Sequence, residues 1–200
     1  MGTTPKKSKN ARKDTRKNII DTARALFSES SYLGVSMNDI AKELDITKAA
    51  LYYHFAGKEE IYNAVLDEVL NDINAALMDA FKEETLDRQL YKVIKNYLNL
   101  GLKEKNIVKA TLLSGEKTVR NHVIQNRKQV DGIIQPLFKD ILASRQLSGQ
   151  VDYRLLTSLL VCMMDGIILE YSFSGTKIDF DEIAKQWVVF LFQGSIAAKR

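Results

Sequence analysis

The stretch ITKAALYYHFAGKEE, residues 46–60, decides the fold of the N-terminal part of this chain. It places two tyrosines, a histidine and a phenylalanine beside a lysine, between a threonine and a Gly-Lys-Glu-Glu sequence. Thr47 can accept a backbone hydrogen bond as an N-cap, and Gly57 interrupts the pattern ten residues later. We therefore predict a short helix from Lys48 to about His54.

A second short helix precedes this one. Ser36 opens a Ser-Met-Asn-Asp sequence that resembles a capping box, with Asp39 in place of the commoner glutamate. A tight connection, residues 44–47, joins the two short helices, and a longer amphipathic helix is predicted from Thr15 to about Phe27. Three helices in this order form a helix-turn-helix, in which the second short helix enters the major groove of DNA.

The string MNDIAKELDITKAALYYHFAGKEEIYNAV, residues 37–65, resembles the DNA-binding head of the TetR (tetracycline repressor-like) family of bacterial transcription regulators. The resemblance covers residues 15–65. It depends on an Ile-Ala pair at 40–41, a Leu-Tyr-x-His-Phe cluster at 51–55 and a Lys-Glu pair at 58–59. The spacing of these three features matches the family pattern, so the resemblance implies a sequence-specific DNA-binding protein.

Two departures from the family pattern lie in this region. The usual Ala-Gly-Val-Ser turn is Leu-Asp-Ile-Thr at 44–47, and the Gly or Thr that often precedes the Leu-Tyr pair is alanine. The resemblance and the outward helical positions together give the expected DNA contacts, which are Ser36, Thr47, Lys48, Ala49, Tyr52, Tyr53, His54 and Lys58. Lys48 is expected to read a base, because a lysine can donate to guanine. For Tyr52, burial against the first helix is an equal alternative.

Composition favours an all-α fold. The chain has 200 residues, 46% of them hydrophobic, with only two prolines and ten glycines. This length suffices for a small head and a larger body, and we expect about nine helices in total. The predicted domains are a basic disordered arm at 1–14, a helix-turn-helix DNA-binding domain at 15–57, and a helical effector-binding and dimerisation domain at 58–200.

The last two predicted helices are unusually apolar. One runs from Asp152 to about Phe173 and the other from Asp181 to about Ser195. A helix that is apolar on nearly every side must be covered on more than one side, so we expect a four-helix dimer interface with a second copy. The residues expected there are Leu156, Leu160, Ile167, Trp187, Val188 and Leu191. Burial within a single chain is the alternative.

The family resemblance implies that the body binds a small effector, which changes the spacing of the two DNA-binding heads. Polar residues among apolar ones, with neighbouring walls, are the candidates: Tyr97, Glu116, Arg120, Arg127, Met163, Asp165 and Glu170. For each of them an ordinary surface or core role is the alternative. The apolar body favours a hydrophobic effector over a sugar or a metal.

An enzyme has little support in the sequence. The two histidines lie far apart, no glycine-rich phosphate loop is present, and no cluster has metal-ligand spacing. We therefore expect no cofactor and no metal. The lone Cys162 lies in an apolar run and is expected to be a buried thiol. No window resembles the roughly 18 apolar residues that span a bilayer, so we expect no membrane partner and a cytoplasmic, nucleoid-associated protein.

These observations favour a transcriptional regulator that binds a palindromic operator as a homodimer. The leading hypothesis is a repressor that is released from DNA by a small, hydrophobic effector. The alternative is a DNA-bound interaction protein of the same fold, whose body binds protein partners and no small molecule. A cavity near Tyr97, Arg127 and Met163 would favour the first of these hypotheses.

Overall fold

The structure is a computed structural model that describes residues 6–114, 117–175 and 179–193, and within these ranges it has nine helices and no β-strand. The helices are α1 (Lys6–Gly34), α2 (Met37–Glu43), α3 (Lys48–His54), α4 (Lys58–Ala80), α5 (Leu86–Lys103), α6 (Lys105–Leu112), α7 (Lys117–Ser144), α8 (Tyr153–Ser174) and α9 (Phe180–Gln193). The all-α prediction is confirmed.

The chain divides into two compact units, Met1–Val69 and Leu70–Arg200, which we call the head and the body. Helix α4 contributes its first part to the head and the rest to the body. The boundary expected from the sequence, between residues 57 and 58, falls at the start of α4, and it stays a prediction.

The first helix is longer than the sequence predicted. We expected a disordered arm up to residue 14, whereas α1 begins at Lys6, so the prediction was wrong for residues 6–14. Lysine, arginine and alanine are good helix formers, and no glycine or proline occurs between Lys6 and Leu33. The arm therefore extends α1 despite its charge. Residues 1–5 lie outside the described ranges.

The head encloses a small apolar core. Helix α3 has the bounds that the sequence predicted, and α2 and α3 both have the predicted N-caps. The largest buried side chains of the core come from α1 to α4 and the residue after α3, namely Ile19, Phe27, Ile40, Leu51, Phe55, Ile61 and Leu66. Leu51 and Phe55 face inward as expected, because they are four residues apart and lie on the same side of the helix.

The body is built around α5, which packs against α7, α8 and α9. Its buried side chains include Leu90, Ile94, Leu98, Ile134, Phe138, Met164 and Ile168. Helices α5 and α8 approach each other closely at Gly101, where an added Cβ would lie 2.1 Å from Cδ1 of Ile168. Ile168 is itself fully packed, so only glycine fits at position 101.

Two expectations about α8 were wrong. Among the described residues, α8 is one helix that is long and apolar enough, by length and composition alone, to cross a membrane, with a mean hydropathy of 1.5. Such a helix is weak evidence for a membrane, since core helices of other proteins pass the same test. Only 28% of that window is buried within the chain, and Cys162, expected to be buried, is exposed. The apolar surface of α8 is thus largely uncovered.

Candidate nucleic-acid interface and effector site

Helix α3 presents one continuous outward surface. Thr47, Lys48 and Ala49 are exposed, and the rings of Tyr52 and Tyr53 are 47% and 66% exposed. The structure therefore excludes the alternative in which Tyr52 is buried against α1. A short helix whose inner side fills the core and whose outer side carries a cation and two phenol groups can donate to base edges and phosphates alike.

Two contacts between aromatic and charged side chains occur along α3. The Lys48 Nζ lies 5.9 Å from the centre of the Tyr52 ring, and the Tyr53 and His54 rings meet edge to face at 5.2 Å. His54 is half-buried at the end of the helix. The Thr47 hydroxyl accepts a hydrogen bond from the Ala50 N–H at 3.1 Å, so this threonine is used as the cap.

The start of α2 is held by a reciprocal cap. The Asp39 N–H donates to the Ser36 hydroxyl at 3.2 Å, and the Ser36 N–H donates to the Asp39 carboxylate at 2.8 Å. The Ser36 hydroxyl also donates to that carboxylate at 2.6 Å. These bonds, the side-chain bond first, lower the pKa of Asp39. Ser36 remains exposed, but its hydroxyl proton is already used within the head.

Lys58, the first residue of α4, has partners inside the head. Its ammonium group donates to the backbone carbonyls of Tyr32 and Val35, both at 2.9 Å, and lies 4.2 Å from the centre of the Tyr32 ring. The sequence had suggested a phosphate contact for this residue. That role stays a prediction, while the contacts to the end of α1 had no signal in the sequence.

A polar cluster in the body joins three of the residues expected from the sequence. The Tyr97 hydroxyl donates to Oδ1 of Asp165 at 2.6 Å, and Nη2 of Arg127 donates to Oδ2 of Asp165 at 2.8 Å. We call these residues the Tyr97–Asp165–Arg127 triad. It brings together α5, α7 and α8, which no sequence pattern predicts.

The triad contains a half-buried ion pair, Arg127 with Asp165, and one buried guanidinium donor without a partner in the described part of the chain. Burial raises the pKa of Asp165, although the bonds from Tyr97 and Arg127 act in the opposite direction. The pKa of the Tyr97 hydroxyl is raised well above its usual value, mainly by burial and then by the nearby charge of Asp165. Nη1 of Arg127 is buried and has no hydrogen-bond partner among the described residues. An unpaired guanidinium hydrogen in such a place is costly, so it can bind an acceptor atom of a ligand.

Three further residues expected to bind an effector lie on α7 and α8. Met163 is half-buried on α8, Glu170 is exposed near the end of α8, and Arg120 is exposed on α7. Glu116 lies outside the described residues. The described part of the chain also contains no group of three or more His, Cys, Asp or Glu side chains that could hold a metal ion.

The DNA-binding part of the chain matches known regulators. The profile of the family described as bacterial regulatory proteins, tetR family, matches residues 19–65. In that region the chain is 49% identical over 53 residues to the biofilm operon icaADBC negative transcriptional regulator IcaR of Staphylococcus epidermidis, and 45% identical over 60 residues to IcaR of Staphylococcus aureus. These matches cover 26% and 30% of this chain, but only 29% and 32% of the relatives' own length.

Solved structures extend the likeness to the whole fold. FadR from Bacillus subtilis, in complex with stearoyl-CoA, is 20% identical, with a TM-score of 0.74 over 89% of this chain and 98% of that one. AibR, in complex with isovaleryl coenzyme A and operator DNA, is 21% identical, with a TM-score of 0.69 over 88% and 97%. At this identity the likeness concerns the fold. The head of this chain is therefore similar in sequence to the TetR family, and the whole chain is similar in fold to these regulators.

The chain carries an exposed apolar surface on its last two helices, which we call the apolar face. Its largest members are more than a third exposed: Leu155, Leu159 and Phe173 on α8, and Val189 and Phe190 on α9. Of the residues expected at a dimer interface, Leu156, Ile167, Trp187, Val188 and Leu191 are half-buried beside this face. The expectation that Leu160 lies at the dimer interface was wrong, because its side chain is fully buried within the chain.

Two depressions occur among the described residues of the body, and neither is lined by a member of the triad. A cleft of about 390 Å³ lies along α5 beside Tyr91, Lys92 and Lys95. An apolar groove of about 230 Å³ is lined by Leu156, Phe190 and other residues of α7, α8 and α9, and so continues the apolar face. Neither depression is the cavity near Tyr97 that the sequence analysis specified.

Several residues with a part in the head went unnoticed in the sequence. The Arg16 guanidinium lies 4.5 Å from the centre of the Phe55 ring. Lys17 forms an ion pair with Asp21 at 2.6 Å and another with Glu68 at 3.1 Å, which joins α1 to α4 within the head. Spacing within α1 could have indicated the first pair, since the two residues are four apart, but not the second.

Proposed function

We propose that this protein is a sequence-specific transcriptional regulator of the TetR family that binds a palindromic double-stranded DNA operator as a homodimer. It acts in the bacterial cytoplasm as a repressor, like the negative regulator IcaR that its head resembles. The observation that carries the proposal is the outward surface of α3, where a capped recognition helix leaves Lys48, Tyr52 and Tyr53 exposed.

The chemistry of this surface suits DNA. Lys48 can donate to O6 and N7 of guanine, and its loss should change which base is preferred. The phenol groups of Tyr52 and Tyr53 can donate to phosphates or pack on sugars and thymine methyl groups. The exposed Thr47 and Ala49 are small, so they allow the helix to approach closely. His54 and Ser36 lie at the edges of this surface, where backbone contacts position the helix.

Dimerisation follows from the apolar face. Six-membered rings and leucines that are more than half exposed, such as Leu159, Phe173 and Phe190, rarely cover a monomer's surface together. A second copy offers the same face, and a two-fold axis then relates the two heads. Two recognition helices about 34–36 Å apart would read successive major grooves, which requires a palindromic operator.

The triad supports an effector that is largely hydrophobic but carries a hydrogen-bond acceptor. The charge of Arg127 is already balanced by Asp165, whereas its buried Nη1 still needs an acceptor. FadR and AibR were solved with acyl coenzyme A molecules, whose acyl groups are hydrophobic and whose thioester carbonyls accept hydrogen bonds. We include ligands of this chemical kind in the proposal, with release from DNA as the outcome of binding.

Operator binding is the first test. Fluorescence anisotropy with a fragment from upstream of the protein's own gene, in a salt series and with excess unrelated DNA, should show tight, salt-sensitive and competitor-resistant binding. Lys48→Ala should relax sequence preference by about 1–3 kcal/mol at one base pair. Lys42→Ala is the matched control, since Lys42 is an exposed lysine on α2. Binding that unrelated DNA removes completely would refute the proposal.

The alternative function is a DNA-bound interaction protein whose body binds protein partners. The apolar face and the adjoining groove favour this alternative if their apolar area is larger than a dimer interface would bury. Titration of acyl coenzyme A molecules into the protein–operator complex separates the two functions. Release of DNA by one of them supports an effector-responsive repressor.

A further inference from the structure

We propose that Lys58 acts on DNA binding as a positioning residue, which fixes the start of the helix-turn-helix through main-chain carbonyls instead of neutralising a phosphate. The inference rests on the proposed function and goes beyond it. It reassigns one residue of the DNA-binding set and adds Tyr32, which no sequence pattern had singled out.

The first observation is that the ammonium group of Lys58 already has hydrogen-bond acceptors within the head. An ammonium group has three donors, and two of those of Lys58 go to the carbonyls of Tyr32 and Val35, both at 2.9 Å. Charge-assisted bonds of this length are the strong ones. Lys58 is also half-buried, so a phosphate could meet only the remaining donor. Contact with DNA through the full charge would break bonds that the free head already has.

The second observation is where those carbonyls lie. Val35 immediately precedes Ser36, the N-cap of α2, and is itself buried. Tyr32 follows Ser31, where the backbone leaves helical geometry with φ 63°. The chain between α1 and α2 therefore has carbonyls that no regular helix satisfies, and one lysine from α4 satisfies two of them. The entry of the chain into the helix-turn-helix is thereby held against the start of α4.

The third observation is the aromatic cluster below the ammonium group. Tyr32 lies 4.2 Å beneath Lys58 and packs on Tyr62 at 4.5 Å between ring centres, while Phe27 meets the Tyr62 ring edge to face at 5.3 Å. These rings come from the C-terminal part of α1 and the first part of α4. A cation over the face of a tyrosine gains more where water is partly excluded, as it is here. The contact thus holds the end of α1 against the start of α4.

Positioning and phosphate neutralisation predict different salt dependence. Loss of one phosphate contact lowers the slope of log K against log salt concentration by about 0.9. Loss of a positioning contact lowers affinity at every salt concentration, because the head must then be ordered on binding, and it leaves the slope unchanged. The two roles are therefore separable in a single experiment on the full chain.

The experiment measures operator affinity across a salt series, and thermal unfolding by circular dichroism, for Lys58→Met, Tyr32→Leu and the double variant. We expect Lys58→Met to lose about tenfold or more in affinity, to keep the wild-type slope and to melt at a lower temperature, because it removes both carbonyl bonds and the contact with the Tyr32 ring. Tyr32→Leu removes only the ring and leaves both carbonyls in place, so we expect a smaller loss of affinity with the same slope. We expect the double variant to lose little more than Lys58→Met, because the contact between the ammonium group and the ring is already absent there. Lys42→Met, an exposed lysine on α2, is the matched control and should change none of the three readouts.

A slope that falls by about 0.9 in Lys58→Met, together with full affinity in Tyr32→Leu, would overturn the inference in favour of a phosphate contact. If Lys58→Met does not fold, Lys58→Gln replaces it, since glutamine keeps a donor without the charge. If the wild-type protein binds no operator, the proposed function fails. The melting temperatures of the two single variants and the double variant then still show whether Lys58 and the Tyr32 ring stabilise the head through a shared contact.

Discussion

The head and the body of this protein distribute polar and apolar groups in opposite ways. In the head, the cation and the phenols of α3 face outward, while the caps of α2 and α3 satisfy the backbone locally. In the body, a half-buried ion pair joins α7 to α8, and the apolar face of α8 and α9 is exposed. A surface built to meet a polyanion and a surface built to meet another apolar surface therefore occur in one chain.

The largest expected effect concerns the outside of the body. Leu159→Glu combined with Phe190→Glu should convert the dimer to monomers, because two charges would enter an apolar interface. Operator affinity should fall about a hundredfold or more, since the second head no longer binds at the effective concentration of a linked pair. Light scattering after size exclusion and operator anisotropy are the measurements.

Leu113→Glu is the control for that variant, because Leu113 is 58% exposed at the end of α6 and outside the apolar face. All three proteins should melt at similar temperatures. A double variant that stays dimeric would remove the apolar face from the interface and would break the contrast between head and body.

The inside of the body comes next. Asp165→Leu leaves the Arg127 guanidinium without its carboxylate partner and should lower the free energy of unfolding by about 3 kcal/mol. Replacing both partners, as in Arg127→Met with Asp165→Leu, should recover most of that loss, because no unpaired charge remains. Urea unfolding followed by circular dichroism measures both. Equal losses in the single and double variants would argue against the half-buried ion pair.

The head is expected to respond less to the loss of one cap. Thr47→Ala removes the bond to the Ala50 N–H and should cost about 1 kcal/mol in the stability of the head. Thr85→Ala is a matched comparison, since Thr85 is at the N-cap of α5 but accepts no capping bond there. Thermal unfolding should show the smaller change for Thr85→Ala, and the reverse order would contradict the local account of the head.

The smallest effect concerns α9. Asp181 accepts hydrogen bonds from Lys185 at 2.6 Å, Lys95 at 2.8 Å and Tyr91, which lower its pKa in that order of importance. The stability from these contacts is present above the unfolded pKa and is lost as the pH falls through the lowered folded value. Asp181→Asn should therefore melt slightly below wild type at pH 5–7, and the difference should shrink in strong acid.

Asp140→Asn serves as the control for α9, because Asp140 is an exposed carboxylate on α7. It should follow the wild-type curve at every pH. A difference between Asp181→Asn and wild type that grows as the pH falls would have the wrong sign for a carboxylate with a lowered pKa.

The head was largely predictable because its signals are local. A capping serine and Asp39 three residues later, or Thr47 before a run of helix formers, specify bounds that the structure confirms. The contacts of Lys58 and the ion pair of Lys17 with Glu68 were missed, since the partners lie more than twenty residues away along the chain. A sequence does not show which main-chain carbonyl will accept a bond from a distant side chain, because every residue has the same carbonyl group.

The body was predictable in its helices but not in its contacts. The apolar period located α8, yet it could not say which side would be covered by α5 and α7, so Leu160 was placed outward when it is buried. Asp165 was named as a candidate effector residue, and in the structure it is bonded to Arg127 and Tyr97 from two other helices. Such pairings depend on tertiary geometry, which spacing along one helix does not contain.

The close approach of α5 to α8 at Gly101 lies next to the triad. Gly101 lies one turn after Tyr97 on α5, and the Ile168 that presses against it lies about one turn after Asp165 on α8. The side chain of Ile168 occupies the space that a Cβ at position 101 would need, one turn beyond the 2.6 Å hydrogen bond between Tyr97 and Asp165. A side chain at position 101 would have to displace Ile168, and it would thereby disturb the packing beside a hydrogen bond that it does not touch.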